Sequence, residues 1–272
     1  MTRLKVSVII VTYNSGEYIN MCLQSIEKNL RPPYEIIIVD NNSADNTLEV
    51  IQQSGIKVNL LPQKSNLGFS KANNLAVSEA EDEYLFFLNP DTKILDNKIV
   101  ELVDYLDTHR DVAIAAPELI DENGDVQPSV QRLPTLGGAL AQYLMGVKNA
   151  YGHYVPVGNN PSEVESVVGG AMMIPKKVYQ GCGGFNNKYF MYFEDLDLCR
   201  KLRKAGWKIV YMPQVKVEHK IGGSASSNPA VKKYIKQSFI LYHGLFMAML
   251  FNSIHQIVRV KNFFTKKFRA IE

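Results

Sequence analysis

The sequence predicts an α/β fold: a mostly parallel sheet covered by helices. Three observations predict it. Strand and helix signals alternate through the first 117 of the 272 residues. The strand signals are unbroken apolar runs, as in strands covered on both faces. Three of these runs end in polar clusters, "TYNS" (12–15), "DNNSADN" (40–46) and "NPDT" (89–92). A parallel sheet would gather them at one edge, outside the carboxyl ends of its strands, where loops project polar groups over a rigid base.

In chain order, "KVSVIIV" (5–11) is the first strand, and Ile19, Cys22, Leu23, Ile26 and Leu30 then recur at helical spacing. "YEIIIVD" (34–40) is the second strand, followed by a turn and a helix carrying Leu48 and Ile51. "KVNLL" (57–61) reads as a third strand and "FSKANNLAVSEA" (69–80) as a helix. In "EYLFFLNPDTKI" (83–94) the apolar run stops at Asn89-Pro90-Asp91. Pro90 has no N–H for a ladder, so a carboxylate is held where a buried strand meets solvent. A helix over Ile99, Leu102, Val103 and Leu106 precedes the short strand "VAIAA" (112–116).

The second half is less regular. "ELIDENGDVQ" (118–127) predicts a hairpin turning at Asn123-Gly124. Residues 132–160 are rich in Gly, Pro and Tyr and read as loop-dominated, while "VESVVGGAMMI" (164–174) is strand-like. "EDLDLCRKLRKAG" (194–206) is a helix opened by acids and closed by Gly206, as the helix dipole and C-cap favour. "WKIVYM" and "VKVEH" read as two short strands, and a helical tail begins near Pro229. The expected organisation is residues 1–225 as one catalytic domain, with halves meeting near 117/118, and 226–272 as a helical extension.

Composition is that of an ordinary globular protein, 46% hydrophobic and 21% charged. Three scattered cysteines (Cys22, Cys182, Cys199) point to a reducing compartment rather than a disulfide framework. The apolar run at the N-terminus is too short for a signal peptide. Net charge is +3, but residues 255–272 hold five basic residues against Glu272. Taking those six from the 30 basic and 27 acidic residues of the chain leaves 25 and 26. Basic character is therefore local to the tail, which argues against a nucleic-acid partner.

Neither G-x-G-x-x-G nor the P-loop signature occurs, so dinucleotide and P-loop readings lack their motifs. Carboxylates stand at the strand ends instead. They repel phosphate, and reach a nucleotide through base and ribose hydroxyls or through a divalent cation. Asp40 suits the first role and Asp91 the second. Glu194, Asp195 and Asp197 open a helix just after the aromatic-rich "KYFMYF", and such a collar raises a carboxyl towards the range of a general base. His219 closes a strand before "KIGGSASS", a glycine- and serine-rich stretch that reads as a mobile lid; neutral imidazole also ligates manganese-like ions. Each residue alone has a plainer reading, as a turn or helix cap, a partner of a helix dipole, or a structural histidine.

Taken in order, the pieces resemble glycosyltransferase family 2 of the GT-A fold, in its rhamnosyltransferase-like branch, over about residues 5–223. The resembling segments are "VSVIIVTYNS", "IIIVDNNSADNT", "NLGFSKANN", "YLFFLNPDT", "GGAMMIPKKVYQGCGGFNNKYFMYFEDLDLCRKLRKAGWKIVYMP" and "VEHKIGGS". The resemblance implies a Rossmann-like sheet and a nucleotide-sugar donor, with TDP-rhamnose expected. It implies donor contacts from Thr12, Tyr13, Asn14, Asp40, Asn42, Asn66, Gly68, Asn73, Asp91, Gly169 and Gly170. Asp195 is then the catalytic base, with Glu194 beside it near the acceptor, and Asp91 with His219 hold Mg2+ or Mn2+. Two positions depart from the family pattern: Asn89 replaces the first acid of the Asp-x-Asp metal motif, and Asn186 stands where an aspartate is frequent.

The expected reaction is inverting transfer to a saccharide or polyprenyl-linked acceptor in surface polysaccharide synthesis. An inactive nucleotide-binding scaffold and a nucleotidyltransferase are the rival readings. In the tail, "FILYHGLFMAMLF" (239–251) is too short to span a bilayer, for which about 20 residues are needed. "VRVKNFFTKKFR" interleaves basic and aromatic residues in a way that suits an anionic membrane surface. Packing on the catalytic domain, or a homodimer contact, is the alternative. The expected location is the cytoplasm, at the inner face of the membrane if the tail binds lipid.

Overall fold

The computed structural model describes residues 5–30, 33–220 and 229–269. The first half alternates as the sequence predicts: β1 (Val6–Thr12), α1 (Ile19–Asn29), β2 (Tyr34–Asp40), α2 (Thr47–Gln53), β3 (Asn59–Pro62), α3 (Phe69–Glu79) and β4 (Tyr84–Leu88). Then come β5 (Thr92–Ile94), α4 (Val100–Thr108), β6 (Val112–Ile120), β7 (Val130–Gln131), α5 (Leu136–Tyr143) and β8 (His153–Tyr154). The chain continues with β9 (Ser162–Val164), β10 (Ser166–Val167), β11 (Ala171–Pro175), α6 (Lys176–Gly181), α7 (Glu194–Lys204), β12 (Lys208–His219), α8 (Pro229–His243) and α9 (Leu245–Arg269).

The main sheet runs β3-β2-β1-β4-β11-β6-β12-β5, with β9 paired to β12. Pairing from β3 to β4 is parallel. Beyond it, β11 enters antiparallel to both β4 and β6, and β5 runs antiparallel to β12. β4 shows why its run is unbroken: Tyr84, Phe86 and Leu88 pack into one core layer, Leu85 and Phe87 into the other. α1 and α4 cover the first face; α3, α6 and α7 cover the second.

Four local expectations change in the second half. The strand read as "VAIAA" continues through Pro117 to Ile120. It can do so because β12 is irregular opposite Pro117, between Met212 and Lys216, where a ladder N–H would otherwise be missed. That irregularity also explains why β12 reads in sequence as two strands: it is one, bent around Pro213-Gln214. The strand-like 164–174 segment is three short strands, broken at Glu165 and at the Gly169-Gly170 turn. Finally, residues 132–160 contain the helix α5, whose Thr135 hydroxyl accepts from the Gly138 N–H as an N-cap. Gly137 and Gly138 conceal that helix from sequence reading. At Gly138 the small residue is required, since a Cβ would lie 2.5 Å from the Ala150 carbonyl oxygen. The hairpin after Ile120 is present, with Gly124 at φ +84° and Gln127 N–H donating to the Leu119 carbonyl at 2.8 Å.

The tail helices lie on the domain. Ala139 of α5 packs with Phe251 and Ile254 of α9, joined by Tyr151 and Phe239. Gly244, at φ +78°, separates α8 from α9. Among the described residues no helix is long and apolar enough to cross a membrane. The "IGGSAS" stretch read as a lid lies outside the described residues.

Candidate active site

At the carboxyl edge of the parallel half, register sets the geometry. Thr12 and Asp40 are paired across β1 and β2, and the Thr12 hydroxyl donates to Asp40 at 2.8 Å. Ser43 adds its N–H at 2.9 Å and its hydroxyl at 2.5 Å. Asp40 is 1% exposed, so its carboxylate anchors the loop that follows. Asn14 (φ +51°) and Asn42 (φ +64°) take the left-handed conformation that asparagine tolerates. Asn14 receives the Ala44 N–H on its side-chain oxygen. Tyr13 stands 54% exposed above this floor.

A second loop closes the edge. The Asn66 side chain accepts from the Gly68 N–H at 2.9 Å, and buried Asn41 accepts from Leu67 N–H at 3.2 Å. Asn73 is buried within α3 and donates to the Phe69 carbonyl. Gly68 has φ +81° and ψ 169°, a region glycine alone occupies readily. A Cβ there would lie 2.5 Å from the Phe190 carbonyl oxygen, which itself accepts the Phe69 N–H at 2.7 Å. The donor-side loop is thus seated directly on the segment leading into α7.

The Gly169-Gly170 turn joins the remaining expected residues. Gly169 N–H donates to Asp195 Oδ2 at 3.1 Å. Gly170 accepts the Asn89 N–H at 2.9 Å, and its Cβ position lies 3.8 Å from His219 Nε2. β12 pairs with β5 so that His219 faces Thr92, and His219 Nε2 lies 3.5 Å from Asp91 Oδ1. Asp91 and Asp195 therefore stand on either side of one glycine turn.

Burial pushes the Asp91 carboxyl above its usual range, and His219 opposes the shift. Gln127 holds the imidazole from behind: its amide donates to the His219 carbonyl at 2.5 Å and its oxygen accepts from Nδ1 at 3.0 Å. That fixes the proton on Nδ1 and turns Nε2 towards Asp91. An imidazole nitrogen and a carboxylate oxygen this close together are donor types that divalent ions such as manganese take. The pair fits a divalent ion on that ground. Among the described residues no group of three or more His, Cys, Asp or Glu side chains could hold a metal, so an ion here would take its other ligands from substrate or water.

α7 begins under strain. Tyr192 (φ +69°) and Phe193 (φ +68°) are consecutive left-handed residues, each costing about 1–3 kcal/mol. The tail supports them: Ser238 of α8 donates to the Met191 carbonyl at 2.8 Å, and Phe190 stacks on Tyr234 at 4.5 Å. Phe193 packs on Phe239 and Tyr242, and Arg200 lies 3.9 Å from the Tyr242 ring centre. Burial raises the Asp195 carboxyl, with the Leu196 and Gly169 N–H groups pulling the other way. Glu194 is 6% exposed, and its Oε2 has no hydrogen-bond partner among the described residues. Burial first, then the charge of Asp195, pushes it well above the carboxylate range. The acid side chains at the helix start thus do unlike things: Asp197 pairs with Arg200 at 2.6 Å, Glu194 is shifted towards its neutral form by burial and by the Asp195 charge, and Asp195 faces the glycine turn.

Sequence reading missed Gln127, Asn41 and His153. Gln127 closes the returning arm of the hairpin, its N–H bonded to Leu119, and nothing local marks its side chain. His153 on β8 is exposed, and its pKa is lowered by desolvation while the charge of Asp195 acts upward; no signal in its own segment marks it.

Strand-end polar loops, an acid–imidazole pair and a partly buried carboxylate across a glycine turn thus form one candidate site on an α/β sheet. The family model "Glycosyl transferase family 2" matches residues 7–180, and "N-terminal domain of galactosyltransferase" matches 153–221. The chain belongs to glycosyltransferase family 2, and is a glycosyl-transfer enzyme of that family. More particularly, it is 29% identical over 240 residues to N-acetylglucosaminyl-diphospho-decaprenol L-rhamnosyltransferase of Mycobacterium tuberculosis, covering 82% of this chain and 78% of that one. It is 27% identical over 225 residues to rhamnosyltransferase WbbL of Escherichia coli K12, covering 79% and 83%. Among solved structures, GalNAc-T7 with UDP, GalNAc and Mn2+ superposes with TM-score 0.64 at 19% identity, over 87% of this chain and 48% of that one. The Pyrobaculum calidifontis mannosyltransferase with GDP-Man and Mn2+ gives 0.63 at 17%, over 89% and 64%. These place the fold in the GT-A class.

Proposed function

We propose that this chain transfers a sugar, rhamnose from TDP-rhamnose in the first instance, to a lipid-linked saccharide, with inversion at the anomeric carbon. The observation that carries the reading is the placement of Asp195 and the Asp91–His219 pair on opposite sides of Gly169-Gly170. One side suits a leaving diphosphate, the other an attacking hydroxyl. The rhamnosyl group is drawn from what the mycobacterial and E. coli relatives are named for, and the lipid-linked acceptor from the mycobacterial name alone.

Tyr13 offers an exposed ring to the base, over a floor made by Thr12, Asn14, Asp40 and Asn42. Asn66, Gly68 and Asn73 shape the loop over the nucleotide. Asp91 and His219 would hold Mg2+ or Mn2+, which when bound supplies positive charge beside the diphosphate. Asp195, its pKa raised by burial, takes the proton from an acceptor hydroxyl. That oxygen bonds to the anomeric carbon as the bond to the diphosphate oxygen breaks, and the electron pair leaves with the nucleotide. Burial and the Asp195 charge both favour the neutral form of Glu194, which leaves more of the local negative charge to Asp195. The Gly169 N–H keeps Asp195 aimed.

Incubation with a panel of nucleotide sugars and a polyprenyl-diphospho-N-acetylglucosamine, following diphosphate release and the anomeric configuration of the product, tests the proposal. Release with TDP-rhamnose and an inverted product is expected. No release with any donor would leave a nucleotide-binding scaffold, and release of inorganic diphosphate a nucleotidyltransferase.

A further inference from the structure

The junction of the tail helices carries an apolar surface that transfer chemistry does not use. Leu245 and Phe246 follow Gly244 at the corner between α8 and α9 and are 64% and 69% exposed; Met249, one turn on, is 54% exposed. Leu250 and Ile257 continue the same outer stripe. The opposite side of α9, Ala248, Phe251 and Ile254, is buried against the domain. So this helix is apolar on both sides of its first turns, and among the described residues only one side has a partner. α5, packed on α9, adds exposed Leu144 and Met145 at its end.

Charge says what the open side meets. From residue 229 to 271 there are eight basic residues and no acid. Counting Glu272, residues 229–272 carry +7 while residues 1–228, with 22 basic and 26 acidic residues, carry −4. Lys232, Lys233 and Lys236 of α8 are exposed. Behind the corner, exposed Lys204 of α7, with Arg200 and Arg203 already paired to Asp197 and Glu163, lines a cleft of about 440 Å3 beside Tyr242, His243 and Met247. A second copy would bring like charge against like. An anionic surface with an apolar interior matches both properties, since basic residues are drawn to its headgroups and apolar ones to its acyl boundary.

We infer that the α8–α9 corner docks this protein on an anionic lipid bilayer, with Leu245, Phe246 and Met249 entering the acyl boundary and the acid-free helices lying along the headgroups. This does not rest on the identity of donor or acceptor. Because α8 also braces Met191 and Phe193, docking holds the start of α7 at a fixed relation to the membrane.

The test is sedimentation of the full chain with vesicles of phosphatidylcholine containing phosphatidylglycerol, against phosphatidylcholine alone. Binding to the anionic vesicles, weakened by salt, is expected, with at least about a tenfold loss in the double variant F246E/M249E at unchanged melting temperature. Equal binding by a folded double variant overturns the assignment. So does a wild-type chain that ignores vesicles but forms dimers that the variant disperses, which would give the face to a second copy. Should the double variant misfold, Phe246→Trp serves instead. Its emission should shift to the blue on anionic vesicles and be quenched by brominated lipid; unshifted, unquenched emission overturns the proposal equally.

Discussion

Thr12 and Asp40 meet because they are opposite one another on neighbouring parallel strands. His219 and Gln127 meet across 92 residues of chain, brought together by a hairpin on one side and a bent strand on the other. The donor-side half is thus built from consecutive strand–loop–helix units, each of which presents its own polar cluster. The half that bears Asp195 is assembled by contacts between segments distant in sequence: α7 on the glycine turn, α8 on the strained start of α7, the loop at Gly68 on Phe190. Local units tolerate local change. An assembled site concentrates its sensitivity at the few junctions.

The largest effect should come where the assembled half meets chemistry. Asp195→Asn is expected to lower transfer by about 10²–10⁴-fold while nucleotide-sugar binding by calorimetry stays near wild type. If donor binding falls as steeply as turnover, the residue belongs to the donor side. Asp91→Ala and His219→Ala should each abolish the Mn2+-dependent part of donor binding, read as the loss of the thermal shift that Mn2+ adds. A metal titration identical to wild type would remove the pair from that role.

Two glycines then sharpen the comparison directly. Gly68→Ala forces both a glycine-only backbone and a 2.5 Å contact with Phe190, so a loss of about 2–4 kcal/mol in urea unfolding is expected. Gly124→Ala, with φ +84° but nothing within 4 Å of the new Cβ, should cost only about 1–2 kcal/mol. Equal costs would mean that the Gly68–Phe190 junction adds nothing.

The smallest effect concerns Glu194. Its carboxyl is raised in the folded protein, so the folded state binds more protons than the unfolded one above the unfolded pKa of about 4.3. Stability from this residue therefore falls as pH rises from there to the raised value, and is level beyond it. Glu194→Gln, of the same shape and without a charge, should flatten that decline in the urea midpoint measured across pH 4.5–8. An unchanged slope would mean that Glu194 ionises freely when folded.

The sequence by itself determined the sheet's parallel half, its strand-end clusters and the acids at the head of α7. Apolar runs of five to seven residues, helical spacing and capping acids are properties of neighbours along the chain, so they can be read there. Asp91, Asp195 and His219 were legible as candidates for the same reason, each standing at the end of an element. Only the tertiary structure decided that Gln127 grips His219, that Asp40 points inward to Thr12 and Ser43, that Glu194 Oε2 has no hydrogen-bond partner among the described residues, and that α5 forms beneath two glycines. Those depend on which distant groups come within hydrogen-bonding reach and which lose water. Such short-range forces have no trace in composition or period, because they exist only once the chain has closed on itself.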